Sequence, residues 1–291
     1  MPFSGALTAL VTPFKNNRLD EETYRSFIER QITEGIHGLV PCGTTGESAT
    51  LSHEEHERVI EICIDQAKGR VPVLAGAGSN NTTEAIRLTR FAQKAGADGA
   101  LLITPYYNKP TQEGLYRHFR AIAEAVDLPL VPYNVPGRTG CSLAPNTLAR
   151  LAHDCPNIVG VKEATGDMTQ ASRILEQCPE DFCVLSGDDL TALALMALGG
   201  KGVISVTSNI VPGRVAAMCN AFSRGDLTEA RRIHHDLFPL HEALFFESNP
   251  IPVKTTLELM GQMTAEMRLP LCPMGEIAKQ KLVAVLQAQN L

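Results

Sequence analysis

The sequence contains no tryptophan and few aromatic residues, which make up 5% of its 291 residues. None of its eight cysteines lies in a CxxC pair, and none combines with histidines at the spacing of zinc ligands. We therefore expect no structural metal centre. Cysteines without a pairing pattern are typical of free thiols in a reducing cytoplasm, which is where we place the protein.

Long apolar runs and patches of one charge are also missing. No apolar run approaches the roughly 18 residues that span a membrane, and the apolar N-terminal stretch lacks a preceding positive charge and is interrupted by Pro13. The net charge is −6 and the pI is near 5.8, with acidic and basic residues interspersed. We therefore expect neither nucleic acid nor membrane as a partner, and favour a small molecule.

What the sequence does contain is a repeating pattern of short apolar, β-branched runs and longer amphipathic stretches. The runs lie at residues 5–14, 38–43, 71–78, 99–107, 130–135, 158–165, 182–188 and 202–208. Eight buried parallel strands with helices between them predict an α/β fold, a closed (β/α)8 TIM barrel.

Helices are predicted between these runs, and one of them begins with a capping box formed by Ser52 and Glu55. The predicted helices cover residues 20–34, 52–68, 82–95, 111–126, 144–153, 168–177 and 191–198. Residues 211–291 are mostly helical in pattern, which is more than one barrel helix requires. We therefore divide the chain into a catalytic barrel, residues 1–224, and a C-terminal helical extension, residues 225–291.

Lys162 is unusual because it lies within a predicted buried strand. Burial lowers the pKa of a lysine and increases the neutral amine, which is the form that attacks a carbonyl to make an imine. A buried lysine can equally be paired with an internal carboxylate, for example that of Asp188. The sequence position alone leaves both interpretations open.

Other polar residues follow the predicted strands, at the end of a barrel where active sites lie. Tyr133 could exchange protons with a partner such as Thr44, although a core tyrosine with a solvated hydroxyl is the commoner case. Arg138 could bind a substrate carboxylate, although a surface salt bridge is the commoner fate of an arginine. The glycines at 76 and 78 lack the third glycine of a dinucleotide-binding loop, so we expect no nicotinamide site.

Six motifs occur in order along nearly the whole chain. They are GTTGE at 43–47, YNVPGRT at 133–139, GVKEA at 160–164, SGDD at 186–189, GVISV at 202–206 and NPIPVK at 249–254. With this ordered set the sequence resembles the dihydrodipicolinate synthase family, within the larger group of N-acetylneuraminate lyase-like aldolases.

The resemblance implies a role for each matching residue. Lys162 would form an imine with pyruvate, Tyr133 would move protons, and Thr44 would link it to Tyr107, delivered by a neighbouring subunit. The substrate-binding residues implied are Thr45 for the carboxylate of pyruvate, Gly187 and Ile204 for the pocket lining, and Arg138 for the carboxylate of the second substrate.

The reaction implied is the condensation of pyruvate with L-aspartate-4-semialdehyde to 4-hydroxy-tetrahydrodipicolinate, the committed step of the diaminopimelate route to lysine. The family is usually a homotetramer built as a dimer of dimers, and it needs no metal or organic cofactor. Arg138 favours this reaction over sialic acid cleavage, because sialic acid lyases resemble the chain at the lysine but not at this position.

The resemblance also implies feedback inhibition by L-lysine. The matching positions of lysine-inhibited bacterial enzymes are Ser48, Ala49, His53, His56, Asn80, Glu84 and Tyr106. Glu84 and the histidines suit the ammonium and carboxylate ends of lysine, whereas a solvated helix face is the simpler explanation of His53 and His56.

Two other functions stay open at this point. One is cleavage of a sugar acid such as N-acetylneuraminate by the same imine chemistry. The other is a barrel that kept its fold, lost catalysis and serves as a ligand-binding protein. The simultaneous presence of Lys162, Tyr133, Thr44, Tyr107 and Arg138 argues against the latter, because a binding protein has no need of a buried nucleophile.

Overall fold

Eight parallel strands form one sheet in a computed structural model, which describes residues 3–291. The strands are β1 (Gly5–Ala9), β4 (Gly38–Val40), β5 (Leu74–Gly76), β6 (Gly99–Ile103), β7 (Leu130–Asn134), β8 (Gly160–Glu163), β9 (Cys183–Ser186) and β10 (Gly202–Ser205). Their order in the sheet is β4-β1-β10-β9-β8-β7-β6-β5. Each predicted apolar run therefore contains one observed strand.

The two end strands of this sheet, β4 and β5, meet and close it into a barrel. The Leu39 N–H donates to the Pro72 carbonyl at 3.0 Å, and the Gly76 N–H donates to the Pro41 carbonyl at 2.9 Å. Closure leaves no open sheet edge at this seam. The prediction of a (β/α)8 barrel is confirmed.

Apolar side chains fill the barrel interior and also face the surrounding helices. The interior cluster contains Phe3, Leu7, Leu74, Leu185 and Ile204, each no more than 1% exposed. A second, larger cluster lies between the strands and the helices. Because both faces of the sheet are buried, the strands are nearly continuous apolar runs, as parallel sheets require.

The helices surround the barrel and extend beyond it. They are α1 (Glu21–Thr33), α2 (His53–Ala67), α3 (Thr82–Ala95), α4 (Gln112–Ala123), α5 (Pro136–Thr139), α6 (Pro145–Asp154), α7 (Met168–Gln177), α8 (Ala192–Ala197), α9 (Pro212–Ser223), α10 (Leu227–Ala243), α11 (Ile251–Leu259) and α12 (Glu276–Ala288). The capping box of Ser52 and Glu55 is present at the start of α2. It satisfies two backbone N–H groups that the first helical turn leaves unpaired.

Some elements were not predicted from the sequence. A hairpin of β2 (Phe14–Lys15) and β3 (Arg18–Leu19) follows the first strand, and α5 is a single turn directly after β7. Residues 260–275, expected to be mostly helical, form an irregular connection with turns between α11 and α12. The proposed boundary at residue 224 coincides with the turn between α9 and α10, and the division into two parts stays a prediction.

Residues 3–291 contain neither a membrane-spanning helix nor a metal-binding cluster. None of the helices in this part of the chain combines the length and the apolar character needed to cross a bilayer. The same residues contain no group of three histidine, cysteine, aspartate or glutamate side chains arranged to hold a metal ion.

The closure of the barrel depends on a glycine, which gives a test of the fold. A Cβ atom at Gly76 would lie 2.1 Å from the Cys42 carbonyl oxygen, a backbone atom that cannot move aside without opening the seam. We expect Gly76→Ala to lower the free energy of unfolding by roughly 1–3 kcal/mol or more, as overpacking does. Chemical denaturation measures this change in the free energy of unfolding. The control is Gly137→Ala, where a Cβ atom meets nothing within 4 Å; equal stability of both variants would contradict the account.

Candidate active site at the barrel mouth

Lys162 is the third residue of β8 and lies inside the barrel near its C-terminal end. Its side chain is 6% exposed, and no carboxylate in residues 3–291 lies within ion-pairing distance of its ammonium nitrogen. Asp188, considered from the sequence as a partner, instead bonds the Leu190 N–H and the Thr191 hydroxyl. The lysine is therefore buried without a direct counter-ion.

This environment changes the acidity of the amine. Burial lowers the pKa of Lys162 to about 7, while the carboxylate of Asp189 opposes the shift and the guanidinium of Arg138 adds to it. Close to half of the amine is then neutral at pH 7, on the order of a thousandfold more than for an ordinary lysine. Lys162 is thus set up as a nucleophile rather than as a fixed charge.

Tyr133 lies beside this amine on the neighbouring strand. Tyr133 and Lys162 are partners in the register of β7 and β8, and the lysine nitrogen lies 4.1 Å from the centroid of the tyrosine ring. Burial raises the pKa of Tyr133, against the smaller lowering effects of Arg138 and of a hydrogen bond with Thr44. The phenol therefore keeps its proton at neutral pH and can donate it or pass it to a hydroxyl.

Thr44 and Thr45 belong to the turn after β4, which we call the threonine turn and define as residues 43–48. Thr44 and Tyr133 line the same small cavity of about 40 Å³ above the barrel interior. Thr45 is 3% exposed, and its hydroxyl accepts a hydrogen bond from the Asn249 side chain at 2.9 Å. The turn thus brings two hydroxyls to the mouth. That of Thr44 lies near Tyr133, and that of Thr45 is held by Asn249.

Arg138 lies on the short helix α5 at the rim of the mouth. It forms no salt bridge within the described residues, and one guanidinium nitrogen donates to the Asn249 carbonyl at 3.4 Å. The surface salt bridge considered for Arg138 from the sequence is therefore absent from the described residues. An exposed guanidinium without a carboxylate is free to bind an anion.

Gly187 and Ile204 lie around the lysine side chain. A Cβ atom at Gly187 would lie 2.9 Å from the Lys162 Cε atom and 2.5 Å from the Ala164 Cβ atom. The absence of a side chain at this position therefore leaves the space that the lysine side chain occupies. Ile204 is 1% exposed in β10 and belongs to the interior apolar cluster.

Tyr107 is separated from this group within its own chain. Its side chain is 90% exposed, and its backbone adopts a left-handed φ of 71°. A non-glycine residue in this conformation is strained, and such strain concentrates at functional positions. The structure of one chain therefore brings together Lys162, Tyr133 and Thr44, with Thr45 next to Thr44 along the chain, and leaves Tyr107 exposed to solvent.

The residues matched to a lysine site form a second polar group near the first. His53 Nε2 lies 3.3 Å from one Glu84 carboxylate oxygen, and the other oxygen accepts a hydrogen bond from the Ser79 hydroxyl. The Asn80 side chain donates to the Tyr106 carbonyl at 3.0 Å. His56 is buried, and burial lowers its pKa to about 4, so its ring is neutral at neutral pH. His56 Nδ1 has no partner in the part of the chain that is described.

One cleft of about 710 Å³ joins the two groups. Its walls include Thr44, Arg138 and Asn249 from the mouth. They also include the lysine-matched residues Ser48, Ala49, His53, His56, Glu84 and Tyr106. The threonine turn belongs to both groups, because Thr44 and Ser48 line the small cavity at Tyr133 as well as this cleft.

Three polar residues of the mouth had no role in the sequence-based prediction. Asn249 connects Thr45 and Arg138, Asp189 influences the pKa of Lys162, and Lys254 lies fully buried against Glu47. Asn249 and Lys254 both belong to the NPIPVK motif. A lysine among apolar residues in that motif was a usable signal of a buried ion pair, although its partner could not be identified from the sequence.

Comparison with known proteins agrees with this geometry. The model of the Dihydrodipicolinate synthetase family matches residues 2–289. The 4-hydroxy-tetrahydrodipicolinate synthase of Nitratidesulfovibrio vulgaris (strain DP4) is 64% identical over 291 residues, covering all of both chains.

Solved structures are similarly close. The chloride-inhibited dihydrodipicolinate synthase of Acinetobacter baumannii, complexed with pyruvate, superposes with a TM-score of 0.96 at 47% identity over 99% of each chain. The enzyme of Cyanidioschyzon merolae with lysine bound gives a TM-score of 0.96 at 43% identity, again over 99% of each chain. With its barrel, its buried lysine and these relatives, the chain belongs to the dihydrodipicolinate synthetase family.

Proposed function

We propose that this chain condenses pyruvate with L-aspartate-4-semialdehyde to 4-hydroxy-tetrahydrodipicolinate through an imine on Lys162. The observation that carries the proposal is a buried lysine with a pKa of about 7, next to Tyr133 and without a carboxylate partner. The names of the close relatives support the choice of reaction. The reaction is the committed step of the diaminopimelate route to lysine.

The first half of the reaction activates pyruvate. The neutral Lys162 amine attacks the C2 carbonyl, and loss of water gives the imine. The positive charge of the imine makes the methyl protons acidic, so that removal of one leaves an enamine. Thr45 holds the pyruvate carboxylate, and Tyr133 accepts and returns the protons. Gly187 and Ile204 form the wall of the pocket.

The second half joins the two substrates. The enamine carbon attacks the aldehyde carbon of the semialdehyde, and the resulting alkoxide takes a proton from Tyr133. Arg138 holds the carboxylate of this second substrate. The substrate amino group then attacks the imine carbon and displaces Lys162, which closes the ring and frees the enzyme. Every step uses side chains of the protein, so the proposal includes no metal or organic cofactor.

Assembly completes the proton path. We propose that Tyr107, 90% exposed in one chain, enters the mouth of a neighbouring subunit and reaches Thr44 there. A dimer is the smallest unit that satisfies this arrangement, and a homotetramer formed as a dimer of dimers is the proposed assembly. The proposed location is the cytoplasm.

We also propose that L-lysine inhibits the enzyme by binding at the far end of the mouth cleft. Glu84 offers a carboxylate for the ammonium end of the ligand, and neutral His56 offers a ring nitrogen without a protein partner in the described chain. The structure of a relative with lysine bound supports the choice of ligand. Cleavage of a sugar acid is the rival reaction, and competition between the two substrates in one assay separates them.

Trapping of the imine tests the central step. Pyruvate with borohydride should add one reduced pyruvate to the intact protein, and peptide mapping should find it on Lys162. Lys162→Arg should abolish both the adduct and turnover, because a guanidinium does not form the imine. Lys201→Arg is the control, since Lys201 lies before β10 at the other end of the barrel. Absence of an adduct in the unmodified protein would remove the imine mechanism, and an adduct without turnover on the semialdehyde would favour a sugar-acid lyase.

The pH dependence of trapping follows from the acidity of Lys162. A lysine with a pKa of about 7 is protonated and unreactive below it and neutral above it. The initial rate of imine formation should therefore rise through an inflection near pH 7 and level off at higher pH. Single-turnover trapping with borohydride at several pH values measures this rate. A rate still rising steeply above pH 9 would show an ordinary lysine pKa.

Substitution within the second polar group tests inhibition. Saturating L-lysine should reduce turnover, and Glu84→Gln should weaken inhibition about tenfold or more, because the amide loses a charge-assisted hydrogen bond to the ligand ammonium. Turnover without lysine should change little. Glu57→Gln is the matched control, because Glu57 lies on α2, pairs with Arg87 of α3 and does not line the cleft. Full activity of the unmodified enzyme in saturating lysine would end this part of the proposal.

A further inference from the structure

A second buried lysine lies close to the mouth but is not part of the proposed chemistry. Lys254, in α11, is 0% exposed. Its ammonium nitrogen donates to a Glu47 carboxylate oxygen at 2.6 Å, to the Thr12 carbonyl at 2.9 Å and to the Glu266 carbonyl at 2.5 Å. All three ammonium donors therefore have an acceptor. A buried charge is tolerated when it is paired and hydrogen-bonded in this way.

The partner of this lysine is a residue of the threonine turn. Glu47 is 3% exposed and adopts a left-handed φ of 54°, which is costly for a side chain of this kind. Its second carboxylate oxygen accepts the Arg268 backbone N–H at 3.1 Å. Both contacts come from the C-terminal part of the chain, more than 200 residues away: Lys254 lies in α11 and Arg268 in the connection that follows it. The strained backbone of the turn is thus held from outside the barrel.

The same helical region contacts the turn a second time. Asn249, five residues before Lys254, donates its side-chain N–H to the Thr45 hydroxyl oxygen at 2.9 Å. Because the hydroxyl oxygen accepts this bond, its own hydrogen stays available to donate to a carboxylate. The Asn249 carbonyl also accepts from Arg138 at 3.4 Å. We call residues 249–254 the clamp segment. This segment contacts Thr45 and Arg138, the two side chains proposed to bind carboxylates, and also Glu47 in the threonine turn.

We propose that the clamp segment positions the threonine turn for pyruvate binding, with Asn249 and Lys254 as positioning residues that act through Thr45 and Glu47. This inference rests on the proposed function, because it takes pyruvate as the ligand of Thr45. It gives the C-terminal helices a role in the active site in addition to any role in assembly or stability.

The arrangement of charges favours positioning over stability alone. Burial lowers the pKa of Lys254 and Glu47 only partly restores it, so this pair is not an efficient source of folding energy. Replacing a buried ion pair by apolar residues is often neutral for stability, whereas removing one partner leaves an unpaired buried charge. What an apolar replacement cannot supply is a directed bond that fixes the turn at Glu47. The two effects can therefore be separated by mutation.

The test is a double-mutant cycle of Glu47→Gln, Lys254→Met and the double variant in the full-length chain. Three quantities are measured: the thermal midpoint, the pyruvate concentration for half-maximal borohydride trapping, and kcat and KM for pyruvate. We expect both single variants to lose stability and the double variant to regain much of it, since no unpaired charge remains. All three should need about tenfold more pyruvate, because a turn displaced by a fraction of an ångström no longer aligns its hydroxyls.

Recovery of pyruvate affinity together with stability in the double variant would overturn the proposal, because it would show a purely structural pair. A second variant keeps the test independent of folding. Asn249→Leu leaves the ion pair intact and removes the bond to Thr45, so it should raise KM for pyruvate about tenfold with a smaller change in kcat. Unchanged KM in this variant would equally overturn the proposal.

Leu237→Ala serves as the control for general damage, because this core residue of α10 is fully buried and does not line the mouth cleft. It should lower the thermal midpoint and leave the pyruvate affinity unchanged. Trapping of pyruvate by the unmodified protein separates this inference from the proposed function. If the unmodified protein traps no pyruvate, the proposed function has failed. If it traps pyruvate and the clamp variants do so with the same affinity, only the positioning role has failed.

Discussion

The mouth of this barrel depends on the burial of two lysine side chains, and the difference between them determines what each can do. Lys162 has no carboxylate within ion-pairing distance, so burial outweighs the opposing charge of Asp189 and its amine becomes a nucleophile near neutral pH. Lys254 has Glu47 at 2.6 Å and two carbonyl acceptors, so its ammonium is a fixed structural contact. The same physical cost of desolvation thus produces a reactive group at one place and a rigid one at another.

The closed barrel makes the first of these environments possible. Lys162 and Tyr133 are neighbours because β7 and β8 pair in register, and Gly187 leaves room for the lysine side chain where any Cβ atom would meet it. Backbone hydrogen bonds between strands fix these positions to within a fraction of an ångström, which a loop could not do. Asp189 lies near enough to influence the amine yet bonds the Val206 and Thr207 N–H groups instead of the lysine. One of its carboxylate oxygens is therefore occupied by these two N–H groups, and the amine has no direct ion pair.

Whether a feature could be predicted from the sequence depended on how far apart along the chain its interacting residues lie. The barrel was predictable because each strand is a local apolar run, and the capping box at Ser52 because its partners lie three residues apart. Lys162 was recognisable as a buried lysine, but its missing counter-ion was not, since Asp188 and Asp189 are adjacent and only the fold decides where each carboxylate points. The pairing of Lys254 with Glu47 spans 207 residues, and no local pattern encodes it.

The threonine turn is the point at which these features meet. It supplies Thr44 and Thr45 to the mouth, Ser48 to the second polar group and Glu47 to the C-terminal helices. A rigid turn of this kind couples its two ends, because a shift that opens one end must move the other by a similar amount or break the contact at Glu47. A ligand that shifts Ser48 would therefore act on Thr44 through the turn itself. Since Thr44 and Ser48 are only four residues apart, the signal would not have to cross the core of the barrel.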